Sequence, residues 1–136
     1  MQGWYAAMEA NISVLVVDHH PAFLQMVVRF LEQQRPQGLV VVGAVFRCDD
    51  ALALAAVRKP QIVLLGLNGN TPAALGLIAP LRAMLPALGI ITLAQQGIAE
   101  YQQAALAAGA DCCLSSDMLH RDVLPVIASL ARRTFP

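Results

Sequence analysis

The sequence predicts an α/β domain in which five parallel strands alternate with five helices in three layers. Short runs of β-branched and other apolar residues, typical of strands buried on both faces of a sheet, alternate with longer segments that carry apolar residues at helical spacing. The connections between these segments are short, as in right-handed strand–helix–strand units. With 136 residues, the chain is long enough for one such domain and too short for two.

The predicted elements follow from the apolar runs and from the residues that interrupt them. The strands are expected at residues 12–17, 39–45, 62–65, 88–93 and 112–114. The first helix is expected from Pro21 to the Arg35-Pro36 step, the second from a cap at Asp49 or Asp50 to about Arg58, the third from the loop at 66–72 to about Leu85, and the last two at 99–108 and 119–132. Pro80 is expected to kink or weaken the third helix.

Composition excludes several classes of protein. Hydrophobic residues make up 57% of the chain and charged residues 13%, so the chain is expected to fold rather than remain disordered. Its formal net charge is zero, which argues against non-specific binding to nucleic acid or to an anionic membrane. The longest apolar stretch, residues 38–46, is too short to span a membrane.

Cysteine usage favours a reducing compartment. Cys48, Cys112 and Cys113 form neither an even disulfide framework nor a CxxC metal pattern, and no signal peptide is visible, so we expect a cytoplasmic protein. The first ten residues lack a clear period and are interpreted as a flexible extension, with the folded domain at residues 11–136.

The order of elements also predicts where a functional site lies. In a flavodoxin-like sheet of order 2-1-3-4-5, ligands bind at the carboxyl ends of the strands, between the first and the third. Asp18 and His19 follow the first predicted strand, and Gly66 follows the third. These residues are therefore the first candidates for a site.

Three segments in the right order resemble a known family. They are VVDHHPAF at residues 16–23, KPQIVLLGLNGN at 59–70 and AALAAGADCCLSSDM at 104–118. Over residues 12–133 the chain resembles the receiver domains of two-component response regulators, especially those that precede LuxR-type DNA-binding domains. The resemblance implies a flavodoxin-like fold and a role in signal transduction or phosphorelay.

The resemblance also implies a phosphorylation pocket, which this sequence does not supply. The family has an acidic pair that holds Mg²⁺, an acceptor aspartate, a hydroxyl residue that ends the fourth strand and a lysine that ends the fifth. The matching residues here are Asp18 and His19 for the pair, Gly66 for the acceptor, Leu93 for the hydroxyl residue and Ser116 for the lysine. Glycine has no side chain to carry an acyl phosphate. The lysine and one of the two carboxylates that hold Mg²⁺ are also absent, so fewer positive charges would neutralise the transferred phosphoryl group.

The family's conformational switch is altered in the same way. It couples the hydroxyl residue to an aromatic residue on the fifth strand, and the matching positions here are Leu93 and Cys113. The sequence therefore predicts a degenerate pseudo-receiver that is not an enzyme and needs no cofactor. Asp18 is interpreted as a cap of the following helix rather than as a metal ligand.

A protein-contact function is the leading hypothesis for such a domain. It is expected to bind a protein partner or a second copy, and to meet DNA only through a separate domain. The expected interaction face is made by the fourth helix, the fifth strand and the fifth helix, and comprises Tyr101, Leu106, Leu119, Val123 and Ile127.

The alternative hypothesis is a sensor that uses the vestigial pocket to bind a ligand or metal, or uses its thiols. His19 and His20 are adjacent and their side chains diverge, so no metal site is assigned. Cys112 and Cys113 are expected to point to opposite faces of a strand, which disfavours a disulfide between them. An enzyme of unrelated chemistry is the least favoured hypothesis.

Overall fold

A five-stranded parallel sheet forms the centre of the chain. The computed structural model describes residues 11–95 and 99–134, and within them the strands are adjacent in the order 2-1-3-4-5. The strands are β1 (Ile12–Val17), β2 (Leu39–Val45), β3 (Ile62–Gly66), β4 (Gly89–Ala94) and β5 (Cys112–Ser115). The predicted flavodoxin-like α/β fold is confirmed.

Helices cover both faces of the sheet. They are α1 (Pro21–Glu32), α2 (Cys48–Arg58), α3 (Thr71–Met84), α4 (Ala99–Ala108) and α5 (Leu119–Thr134), with short 3₁₀ turns at Arg35–Gln37 and Ser116–Met118. Buried side chains of α1 and α5 pack against one face of the sheet, and those of α2, α3 and α4 pack against the other. The result is the expected three-layer sandwich.

Several predicted boundaries need correction. The third and fifth strands end one residue later than predicted, and the fourth is shifted by one residue to Gly89–Ala94. Asp49 and Asp50 are not the cap of α2, because that helix begins at Cys48 with Arg47 as its N-cap. Helix α3 continues through Pro80, which is exposed, so the proline does not end the helix, and its predicted kinking or weakening effect stays a prediction.

One guanidinium group ties together the amino-terminal edge of the sheet. Arg82, near the end of α3, donates to the carbonyl groups of Pro86, Leu88 and Gly109 and to the carboxylate of Asp111. That carboxylate also accepts the N–H of Ile90 at 2.8 Å. Arg82 therefore joins the end of α3, the turn before β4 and the turn before β5.

No helix in the described part of the chain is long and apolar enough to cross a membrane. The predicted extension at residues 1–10 lies outside the described residues.

Candidate functional site

The candidate site lies at the carboxyl edge of the sheet, where β1 and β3 end side by side and β5 ends beyond β4. Asp18 follows β1, Gly66 is the last residue of β3, and Ser116 follows β5. Strand β3 pairs with both β1 and β4, so Gly66 lies in the middle of this edge. The structure brings Asp18 directly against Gly66, as the sequence predicts for the ends of β1 and β3.

Asp18 is held in the place where a side chain on Gly66 would go. A Cβ atom added to Gly66 would lie 2.7 Å from Asp18 Cγ and closer still to Asp18 Oδ2. The other carboxylate oxygen, Oδ1, accepts the backbone N–H of His20 at 2.9 Å. The Asp18 side chain therefore closes a local turn by accepting the N–H of the residue two positions later. The expectation that Asp18 caps α1 is wrong, because His20 is the N-cap of that helix.

Burial dominates the electrostatics of this carboxyl group. Asp18 is only 3% exposed, and its desolvation raises the pKa of the carboxyl above its usual range. The hydrogen bond from His20 N–H and the charges of the His20 and His19 imidazoles oppose this shift. Relative to the protonated form, the ionised form of Asp18 is therefore less favourable in the folded chain than in the unfolded chain.

We expect Asp18→Asn to increase stability at neutral pH. A raised pKa means that the contribution of Asp18 to stability is fully present below the unfolded pKa, about 4, and is lost as the pH rises through the folded pKa. Asparagine keeps an oxygen that can accept the His20 N–H but carries no charge. Urea unfolding of both proteins from pH 4 to pH 8 measures the difference, which should shrink towards pH 4. If the gain in free energy of unfolding of Asp18→Asn over the wild type were smaller at pH 7 than at pH 4, the result would contradict this prediction.

The two histidines beside Asp18 pack against the loop that follows β3. Gly69 has a φ of 95°, and a Cβ there would lie 3.0 Å from His20 Nε2 and 3.1 Å from His19 Cβ. The two imidazole rings are 6.2 Å apart and nearly perpendicular. Among the described residues, no group of three or more His, Cys, Asp or Glu side chains is arranged to hold a metal ion.

The residue matched to the hydroxyl position needs a correction. Leu93 is not the last residue of β4, because the strand continues to Ala94, and the Leu93 side chain is buried in the core between the sheet and helices α1 and α5. Leu93 meets the site through its backbone: it pairs with Gly66, and its carbonyl accepts the N–H of Leu67 at 2.8 Å. Neither Leu93 nor Ala94 carries a hydroxyl group, so the end of β4 has no hydroxyl side chain at either of these positions.

The remaining pocket and switch positions lie on β5 and just after it. The Ser116 hydroxyl accepts a long hydrogen bond of 3.5 Å from Asn68 Nδ2, in the loop after β3. Cys113 pairs with Thr92 and packs, half-buried, against the core beneath α2, α3 and α4. Ser116 thus lies at the predicted edge but offers a neutral hydroxyl group instead of a cation.

All three cysteines are free thiols. Burial, followed by the Asp49 carboxylate, raises the pKa of the Cys48 thiol. Burial also raises the pKa of Cys112, with smaller contributions from the neighbouring Cys113 and Asp111. A raised pKa reduces the thiolate fraction at neutral pH, which argues against redox sensing by Cys48 or Cys112.

A cavity at the same edge involves residues that the sequence analysis did not single out. Its volume is about 230 Å³, and it lies between the ends of β1 and β3 and the beginnings of α2 and α3. Its walls are Val17, His19, Phe46, Arg47, Cys48, Asp49, Leu65, Gly66, Asn70, Ala73 and Ala74. Phe46 could have been found by its position, because it directly follows the second strand and so lies at the edge where the other candidates lie.

The predicted interaction face is largely wrong. Leu119, Val123 and Ile127 are buried in the core, because they form the stripe of α5 that faces the sheet. Tyr101 packs, partly buried, against the core beneath α4. Of the five predicted residues, Leu106 is the one with a large exposed surface, at 50%.

Comparison with known proteins places this fold among receiver domains. No protein-family model matches the chain, and no curated protein matches its sequence. Among solved structures, it is similar to a response regulator receiver domain from Clostridium thermocellum, with a TM-score of 0.79, 18% identity, and coverage of 90% of this chain and 96% of that one. It is also similar to a LuxR-family response regulator from Aurantimonas, with a TM-score of 0.77, 21% identity, and coverage of 90% and 86%.

A third similar structure holds a modified aspartate. It is a response regulator from Burkholderia pseudomallei with a phosphorylated aspartic acid, a calcium ion and citrate. The TM-score is 0.75, the identity 26%, and the alignment covers 91% of this chain and 71% of that one. These similarities and the strand order agree: the chain has the receiver-domain fold of two-component response regulators.

Proposed function

We propose that this chain is a non-enzymatic signalling module that acts through protein contact and without accepting phosphate. The observation that carries the proposal is the close contact between the Asp18 side chain and Gly66. The resemblance implies an acceptor aspartate at Gly66, and here the Asp18 carboxyl group occupies the space into which such a side chain would extend. An acyl phosphate at this edge would therefore lack both the group that carries it and the room to form.

The charges around the site support the same proposal. Phosphoryl transfer requires cations that neutralise the transferred oxygens, and Mg²⁺ is commonly held by one or two carboxylates. His19 stands where the resemblance implies the second carboxylate, and the Ser116 hydroxyl, bonded to Asn68, stands where it implies a lysine. The related structure that contains a phosphorylated aspartic acid also contains a divalent cation, whereas this pocket has one buried carboxyl group.

Contact with another protein remains as the way such a module can transmit a signal. The composition is poor in charge, and Leu106 on α4 leaves half of a large apolar side chain in water. We therefore place the contact on the exposed side of α4, with a second copy as the first candidate partner. DNA would be bound through a separate domain, and the cytoplasm is the compartment that fits free thiols.

One experiment tests both parts of the proposal. The protein is incubated with acetyl phosphate and Mg²⁺, and its intact mass is measured together with its molar mass by light scattering over a concentration series. We expect no added phosphoryl group, and self-association that the phosphodonor does not change. Leu106→Glu should weaken that association at least tenfold, because a charge would be desolvated in the contact.

The control is Gln25→Glu, which adds the same charge to an exposed polar position of α1, on the opposite face of the sheet from α4. Stoichiometric phosphorylation of the wild type would overturn the first part of the proposal. A wild type that stays monomeric at high micromolar concentration, or a Leu106→Glu variant that associates like Gln25→Glu, would overturn the placement of the contact.

A further inference from the structure

We infer that the cavity beside Gly66 binds a small, uncharged molecule that contains a single ring. This inference goes beyond the proposed contact function, because binding is a property of the chain alone and needs neither phosphodonor nor partner.

The size of the cavity sets the size of the ligand. Its volume of about 230 Å³ exceeds the roughly 150 Å³ of an apolar protein cavity that takes up benzene. It is nevertheless smaller than the pockets of about 300–1,000 Å³ that hold drug-sized molecules. One ring with a small substituent fits this space, whereas a nucleotide does not.

The floor of the cavity is apolar and rigid. Val17 and Leu65 are core residues of β1 and β3, and Ala74 is a core residue of α3. Gly66 contributes only backbone atoms to the floor, and Asp18 occupies the space where a Cβ atom on Gly66 would lie. The floor is thus formed by secondary structure that holds its shape without a ligand, which lowers the entropic cost of binding.

Phe46 provides the second, independent observation. This side chain follows β2 at the wall of the cavity and is 53% exposed. A ring bound in the cavity would cover part of the Phe46 ring and stack or pack edge-on against it. Covering this surface supplies hydrophobic driving force for binding.

The charges at the cavity favour a neutral ligand over an anion. The guanidinium group of Arg47 lies 3.8 Å from the carboxylate of Asp49, so the wall carries one charge of each sign. Behind Gly66 lies the buried carboxyl group of Asp18, which would repel a second carboxylate when ionised. An anionic ring would be partly desolvated here, and the wall guanidinium of Arg47 already lies beside the Asp49 carboxylate.

Titration of the intact chain with phenol tests the inference, with benzoate as the matched anion. Methyl NMR spectra report on Val17, Leu65 and Ala74, which line the floor. We expect saturable shifts of these methyl groups with a millimolar dissociation constant for phenol, which suits a ligand of so few atoms, and at least tenfold weaker binding of benzoate.

Two variants locate the binding. Ala73→Leu fills the cavity from the first turn of α3 and should weaken phenol binding at least tenfold, whereas Ala79→Leu, exposed on the same helix and outside the cavity, should bind like the wild type. Phe46→Ser removes an exposed ring that is not part of the buried core and should weaken binding at least fivefold, so it serves if Ala73→Leu does not fold.

Each opposite result overturns the inference. The absence of saturable shifts up to the solubility of phenol excludes the ligand class, and tighter binding of benzoate excludes the preference for a neutral ring. Unchanged phenol affinity in both Ala73→Leu and Phe46→Ser excludes this cavity as the place of binding. None of these outcomes bears on phosphorylation or self-association, so failure here is distinct from failure of the proposed function.

Discussion

Arg82→Met should lower the free energy of unfolding by about 3 kcal/mol and the melting temperature by roughly 10 °C. The guanidinium group donates to the carbonyl groups of Pro86, Leu88 and Gly109 and forms a 2.9 Å ion pair with Asp111. The side chains of Arg82 and Asp111 are only 27% and 14% exposed, so water replaces the lost donors incompletely. Methionine preserves most of the apolar stem, so the loss isolates the polar contacts.

Two further variants make the Arg82 experiment specific. Arg121→Met breaks another arginine–aspartate pair, but Arg121 is 64% exposed and bonds to the adjacent Asp122, so this variant should melt close to the wild type. Arg82→Lys keeps the charge but loses the planar fork that reaches several acceptors at once, so an intermediate loss is expected. Denaturant unfolding measures all three variants, and a loss for Arg82→Met no larger than that for Arg121→Met would contradict the assigned role.

Sequence reasoning succeeded where one apolar run decides the structure. The bounds of β1 and β2 agree with the predicted strands, because both are largely apolar runs rich in β-branched residues. The ends of β3, β4 and β5 were harder to predict. Gly66, Ala94 and Ser115 extend the strands because their backbones continue the ladder, and backbone pairing does not depend on side-chain type.

The prediction of the interaction face was wrong for a different reason. Helix α5 has more apolar residues than one stripe needs, and their spacing alone does not show which of them face the sheet. In the structure Val123 and Ile127 take that stripe, while Val126 and Leu130 are partly buried beside it. Exposed apolar surface depends on the rotation of the helix against the sheet, which is a tertiary property.

The candidate site was predictable in its location but not in its contacts. The rule that parallel strands place ligands at their carboxyl ends correctly brings Asp18 next to Gly66. The turn that points the Asp18 carboxyl at Gly66 arises because α1 begins only at Pro21, so that Asp18 bonds to His20 N–H outside the helix. Phe46 and Ala73 meet at the cavity through the fold, and nothing in their local sequence connects them.

Gly66→Ala should lower the free energy of unfolding by about 1–3 kcal/mol, because it overpacks a buried position. The added methyl group would lie 2.7 Å from Asp18 Cγ, and Asp18 is held in place by burial and by its bond to His20 N–H. The control is Gly76→Ala on α3, where a Cβ meets no atom within 4 Å, and where alanine should be neutral or stabilising by up to about 1 kcal/mol.

A double-mutant cycle shows whether Asp18 is the cause of that loss. In an Asp18→Ala background the clashing carboxyl group is gone, and Asp18 Cβ is 3.4 Å from the new methyl group, which is ordinary contact. Gly66→Ala should then cost little, which gives a coupling energy of about 1–2 kcal/mol by urea unfolding. A coupling near zero would mean that Asp18 can move aside, and the space for an acceptor side chain would then be present after all. If the coupling is found, glycine at this position is required by the packing of Asp18. Gly66→Asp alone should then not restore a phosphate acceptor, because Asp18 occupies the space for its side chain, and His19 and Ser116 still replace the second carboxylate and the lysine that the resemblance implies.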